Sequence, residues 1–134
     1  MFIARYDESG NYVWAKPYGG AYNCSDIAQS VVVDGSGRIA VTGQVQSSVN
    51  FGSGWLWGNG MENFFILDLT SSGEFSWVKR CDGTVGASCG TGVAVDASGN
   101  IITAGWSSGT VDFGGGAVNS GTVSKAGFLA KDAP

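Results

Sequence analysis

Four groupings in this sequence are of residue types that could do chemistry. The first is Gly86-Ala87-Ser88-Cys89-Gly90, the G-x-S-x-G pattern of a nucleophile elbow. An elbow works only when a strand precedes it, a helix follows it and a histidine takes the serine proton. The chain has no histidine, and the motif is expected in a loop between two strands, so no catalytic residue is assigned. The same absence removes the commonest general base and the commonest metal ligand. The second grouping is Asp7, Asp34 and Asp96, each opening an Asp/Ser/Gly/Asn-rich turn. A calcium loop alternates oxygen ligands and ends in a distant glutamate; Asp-x-Ser-Gly-Asn does not, so no metal is expected. An aspartate in this place normally bonds to the backbone ahead of it. Glu62, Asp68 and Glu74 follow no common spacing and read as solvated surface charges. The third grouping is Cys24, Cys81 and Cys89, which lack the C-x-x-C spacing of a zinc site. Cys81 and Cys89 bracket a short Gly-rich segment that a disulfide could close; as reduced thiols they would act as small hydrophobes.

The fourth grouping is the tryptophans. Trp14 and Trp77 occupy matching positions in two similar stretches and are expected to pack. Trp106, Trp55 and Trp57 stand where the matching stretch has Gln44, Ala117 and Asn119. Trp55 and Trp57 lie in the Gly-rich segment from Gly52 to Gly60, beside Asn59. Aromatic rings next to amides can stack on a sugar or anchor a protein interface, burying much area at little entropic cost. Trp55, Trp57, Asn59 and Trp106 are therefore the candidate binding residues. The competing readings are that the loop folds back over a sheet end, which is the simplest, or that it makes a subunit contact.

Composition narrows the classes. A net charge of −4 argues against binding a phosphate backbone, which requires clustered lysine and arginine. No run of about 18 apolar residues is present to span a bilayer as a helix. Met1 leads straight into a strand-like segment without the basic and apolar regions of a signal peptide, so none is expected. Hydrophobic residues make up 43% of the 134, enough for a core rather than a disordered chain.

The elements that must position these residues come from internal repetition. Phe2-Ile3, Ser9-Gly10 and Trp14-Ala15-Lys16 recur as Phe65-Ile66, Ser72-Gly73 and Trp77-Val78-Lys79, 63 residues later. Val33-Asp34-Gly35-Ser36-Gly37-Arg38-Ile39 recurs as Val95-Asp96-Ala97-Ser98-Gly99-Asn100-Ile101, and Gly43 matches Gly105. The units are 2–64 and 65–127, with 128–134 opening a third at Phe128-Leu129-Ala130-Lys131. Each unit reads as hairpins, and no stretch keeps a helical apolar period. The fold class is all-β. Runs such as Val31-Val32-Val33 are apolar at every position and predict strands buried on both faces. Four short strands per unit, stacked sheet on sheet, predict β-propeller-type blades of four-stranded antiparallel sheet, about two per chain.

The segments 2–16, 93–101 and 109–116 resemble the SBBP-type β-propeller repeats of bacterial proteins. The resemblance implies a propeller fold and a secreted or cell-surface location, and it carries no catalytic residue or cofactor. In such repeats the Val-x-Val-Asp strand is innermost, Ile-Ala-Val-Thr-Gly second, Phe-Ile-Ala-Arg-Tyr third and the Trp strand outermost. Two units cannot close a ring, so copies of the chain are expected to assemble head to tail, as a trimer or tetramer supplying about six or eight blades. The alternative is an excerpt of a longer propeller with a structural role. The expected function is a non-catalytic module for binding or assembly, lectin-like in its concrete form, with a glycan or protein as ligand. The alternative is a glycosidase-like hydrolase using Asp34 and Asp96, which would have to face each other across a pocket.

Overall fold

One short polar side chain and one glycine fix each tight turn. The N–H of Gly10, Gly37, Gly73 and Gly99 donates to the carbonyl of Asp7, Asp34, Thr70 and Asp96 at 2.9 or 3.0 Å. All four glycines have φ between +75° and +84°, a conformation that a Cβ penalises. In the computed structural model, which describes residues 1–20, 24–58, 61–81, 83–121 and 124–133, these turns join paired strands. In chain order they are β1 (Phe2–Tyr6), β2 (Tyr12–Pro17), β3 (Gly19–Gly20), β4 (Ile27–Val33), β5 (Ile39–Gln46), β6 (Val49–Asn50), β7 (Trp55–Leu56) and β8 (Glu62–Leu69). Then come β9 (Phe75–Cys81), β10 (Gly83–Val85), β11 (Ser88–Val95), β12 (Ile101–Ser107), β13 (Thr110–Asp112), β14 (Ala117–Asn119) and β15 (Ala126–Asp132). The described residues are all-β, and every pairing is antiparallel.

The centre is a four-stranded sheet in the order β4-β5-β8-β9, the strand order that the resemblance implied. On one side stands the hairpin β1-β2 and on the other the three-stranded sheet β11-β12-β15. Small sheets β3-β6-β7 and β10-β13-β14 occupy the connections. Their very short strands had no signal in the sequence, which showed only surplus length there.

Strand alternation sends β5 and β8 into two cores at once. Val41, Val45, Phe65, Leu67 and Leu69 pack with Tyr18, Val49, Phe51, Ile3 and Trp14 on one face. Ala40, Phe64 and Ile66 pack with Ile101, Val111, Trp77, Val93 and Phe128 on the other. Each large side chain buried this way contributes about 1.5–3 kcal/mol. Trp14 and Trp77 are thus packing residues, one in each core.

β4 departs from expectation. Val32 joins the second core, but Val31 and Val33 are each 59% exposed. An all-apolar strand signals a face suited to cover; whether a covering sheet stands there depends on the neighbouring element. Here β1-β2 leaves a mainly apolar cleft of about 750 Å³, lined by Phe2, Ile3, Val31 and Val33 together with the polar Arg5 and Gln29.

The matching glycines Gly43 and Gly105 gain a reason. The register shifts between Ala28 and Ser30 opposite Gly43, and between Gly90 and Gly92 opposite Gly105. These irregularities bring the Ile27 and Cys89 carbonyl oxygens to 2.0 and 2.1 Å from where a Cβ would sit. Only glycine admits so close a backbone.

Candidate functional site

The tryptophan loop is built from backbone bonds upward. Asn50 Oδ1 accepts from Gly52 N at 2.8 Å and Gly54 N at 3.3 Å, as Asp112 Oδ1 accepts from Gly114 N and Gly116 N. Gly52 and Gly54 both stand at φ +111°. The turn returns the chain as β7, pairing Trp55 with Asn50 and Leu56 with Val49. Arg80 on β9 then ties the loop down, with Nη2 donating to the Trp57 carbonyl at 2.7 Å. Leu56 is the buried side of this element, packed on the first core. Alternation leaves Trp55 48% and Trp57 77% exposed. Their ring centroids lie 6.3 Å apart with planes inclined at 33°. Trp55 also borders a shallow cleft with Lys16, Asn50, Glu74 and Phe75, where Lys16 Nζ pairs with Glu74 Oε1 at 2.6 Å.

Trp106 stands elsewhere, on β12 between Cys89 and Gly127. Lys125 Nζ lies 3.9 Å from its ring centroid, a cation–π contact. Trp106 and the Trp55–Trp57 pair therefore belong to different sheets. Asn59 lies outside the described residues. The sequence did not mark Arg80 or Lys125, because the residues they hold are distant in the chain.

The carboxylates are spent on the backbone. Asp7 Oδ1 accepts from Ser9 N and Asn11 N, Asp34 Oδ1 from Ser36 N and Arg38 N, and Asp96 Oδ1 from Ser98 N and Asn100 N. Asp34 and Asp96 stand in separate turns. The Asn11 amide holds the Asp7 carboxyl below its ordinary value, and the Ser36 hydroxyl does the same for Asp34. Lys131 followed by Asn100 does so most strongly for Asp96.

Asp68 is a correction. Read as a solvated charge, it is 1% exposed on β8, with Arg38 Nε 3.1 Å from its Oδ1. Burial pushes its carboxyl above the ordinary value, and Ser76 and Arg38 only partly offset this. The signal was present as a lone carboxylate in the apolar run Phe64-Phe65-Ile66-Leu67-Asp68-Leu69. Arg38 Nη2 also donates to the Gly99 carbonyl at 2.7 Å, joining the central sheet to its neighbour.

These shifts set a pH dependence with two signs. Asp7, Asp34 and Asp96 have folded values below the unfolded 3.8. Their stabilisation is present above that pH and is lost as pH falls through the lower folded values. Asp68, raised above 3.8, opposes the fall, because its proton binds the folded form more readily. Melting temperature is expected to drop below about pH 3.8. Asp96→Asn keeps the Oδ1 acceptor but removes the titration, so its acid limb should be shallower; an unchanged slope would contradict the assignment.

The G-x-S-x-G motif straddles a connection and a strand: Gly86 and Ala87 lie between β10 and β11, and Ser88, Cys89 and Gly90 open β11. Ser88 is buried and its Oγ accepts from Phe64 N at 2.9 Å, a structural task. Cys81 is buried on β9 in the second core. Cys89 is buried on β11, where burial raises its thiol. No disulfide joins Cys81 to Cys89. Among the described residues, no group of three or more His, Cys, Asp or Glu residues could hold a metal. No known protein family matches the sequence, and no curated protein does.

Proposed function

We propose that the chain is a non-catalytic module for binding and assembly, built of β-propeller-type blades and joining copies of itself head to tail. The observation that carries this reading is the apolar cleft beside β1, where Phe2, Val31 and Val33 are all more than half exposed. Apolar sheet faces and open strand edges of this kind mark a surface meant for another sheet. The β1-β2 hairpin and the β11-β12-β15 sheet pack on opposite faces of one four-stranded sheet, and this stacking of sheet on sheet supports the reading. Light scattering on the purified chain tests it. A mass of three or four chains is expected, and a single-chain mass across the concentration range sinks it.

The Trp55–Trp57 pair supports a lectin-like use of this module. Two exposed, inclined rings beside a cleft bearing Asn50 and Glu74 offer apolar faces and polar edges to a sugar. Calorimetric titration with neutral oligosaccharides should give binding that Trp55→Ala and Trp57→Ala each weaken about tenfold or more, a loss of roughly 1.4 kcal/mol. Absence of heat with the intact protein would remove the sugar reading and leave the assembly reading in place.

A further inference from the structure

The hairpin β1-β2 and the sheet β11-β12-β15 hold two copies of one strand. Phe2-Ile3-Ala4-Arg5 and Phe128-Leu129-Ala130-Lys131 match at all four positions in size and character. Within the chain, β15 pairs with β12 in the register Gly105↔Phe128, Ala104↔Leu129, Thr103↔Ala130 and Ile102↔Lys131. The central sheet has the same register, with Gly43↔Phe65, Thr42↔Ile66, Val41↔Leu67 and Ala40↔Asp68. β1 is the third bearer of this strand pattern, and its sheet contains only β2. One edge of β1 is thus open beside the apolar cleft.

Resting on the self-assembly reading above, we propose that the cleft receives the β11-β12 hairpin of a second copy, and that β1 takes on that β12 the place β15 holds within a single chain. β15 is then a placeholder that assembly displaces. Three observations converge on this exchange. Phe128 packs 5.0 Å from Phe64 and 4.9 Å from Phe113, ring to ring, while Phe2 is 76% exposed. Lys131 Nζ sits 2.8 Å from Asp96 Oδ2, and Arg5 would bring a cation to the same carboxylate. Ile3 already packs on the central sheet, so the incoming Ala94 and Ala104, both exposed in the single chain, extend that face over Val31 and Val33.

The exchange also resolves a conflict of number. β1 and β15 run in the same direction and would compete for one edge of β12. β1 brings the outer strand β2 with it, whereas β15 lies at the sheet edge. With β15 released, β1-β2 joined to a neighbour's β11-β12 makes a second four-stranded sheet, in the pattern of β4-β5-β8-β9. The Lys79–Asp132 ion pair is given up; at a partly exposed site this costs little.

A disulfide across β12 and β15 tests the release. Ala104 and Leu129 stand opposite each other, within the Cα separation a disulfide tolerates. In a Cys24→Ser background, Ala104→Cys/Leu129→Cys is oxidised at high dilution, concentrated and weighed by light scattering. Reduced, it should show the parent's assembled mass; bridged, it should fall to one chain, 13.7 kDa. A bridged protein that keeps the assembled mass overturns the exchange while leaving head-to-tail assembly standing. A parent that stays at one chain overturns both. If the reduced variant does not fold, Ile3→Cys/Ala104→Cys reads the same contact directly. Disulfide-linked ladders between copies support the exchange, and an assembled protein without them overturns it.

Discussion

Phe65→Ala is expected to destabilise the chain by about 3–5 kcal/mol, the range for emptying a fully buried aromatic site. Phe65 is 0% exposed at the middle of the central sheet, with its ring 5.1 Å from that of Phe51. Phe51 in turn contacts Tyr18, so truncation opens a cavity bordered by β8 and two connecting segments. The matching change Phe2→Ala should move single-chain stability by no more than about 0.5 kcal/mol, as for an exposed side chain. Urea melts of dilute protein measure both. Two residues at equivalent places in the sequence pattern thus separate by several kcal/mol, because only one has a sheet on both sides. If copies associate as proposed, Phe2→Ala weakens the association instead. Equal losses in the two dilute melts would contradict the exposure of Phe2.

Gly43→Ala is the second large effect, expected to cost about 2–4 kcal/mol by forcing backbone apart in a packed core. The new Cβ would stand 2.0 Å from the Ile27 carbonyl oxygen and 3.1 Å from Ala28 Cα. Neither belongs to a flexible side chain, so β4 must move away from β5. Gly92→Ala is the control, since nothing lies within 4 Å of its Cβ position and its φ is not positive. That change should stay within about 1 kcal/mol, either sign. A guanidinium or thermal melt of the pair decides, and similar midpoints for the two variants would refute the close approach.

Much of the fold was legible because its signals are local. An Asp-x-Ser-Gly segment makes a turn from local contacts, since the carboxylate reaches the backbone two and four residues on. The hairpins Phe2–Tyr6 with Tyr12–Pro17 and Ile101–Ser107 with Ser88–Val95 rest on such turns. The small strands β3, β6 and β7 were not legible, because two-residue pairings have no period to detect. Asp68 was misjudged for a related reason. Its spacing matched nothing in the other unit, and its partner Arg38 is 30 residues away in the chain.

The candidate site was legible in kind and not in arrangement. Trp55 and Trp57 were marked because they break the repeat, and they are exposed and paired. That they sit together, and Trp106 apart under Lys125, depends on which sheet each strand joined. The tight turns, the strand content and the absence of an imidazole follow from the sequence alone, because each depends on a few neighbouring residues or on none. Which apolar face is covered is a tertiary matter. Val31 and Val41 are alike in type, yet one is 59% exposed and the other 1%. Burial is a property of what stands opposite, and among the described residues Val31 borders a cleft beside β1.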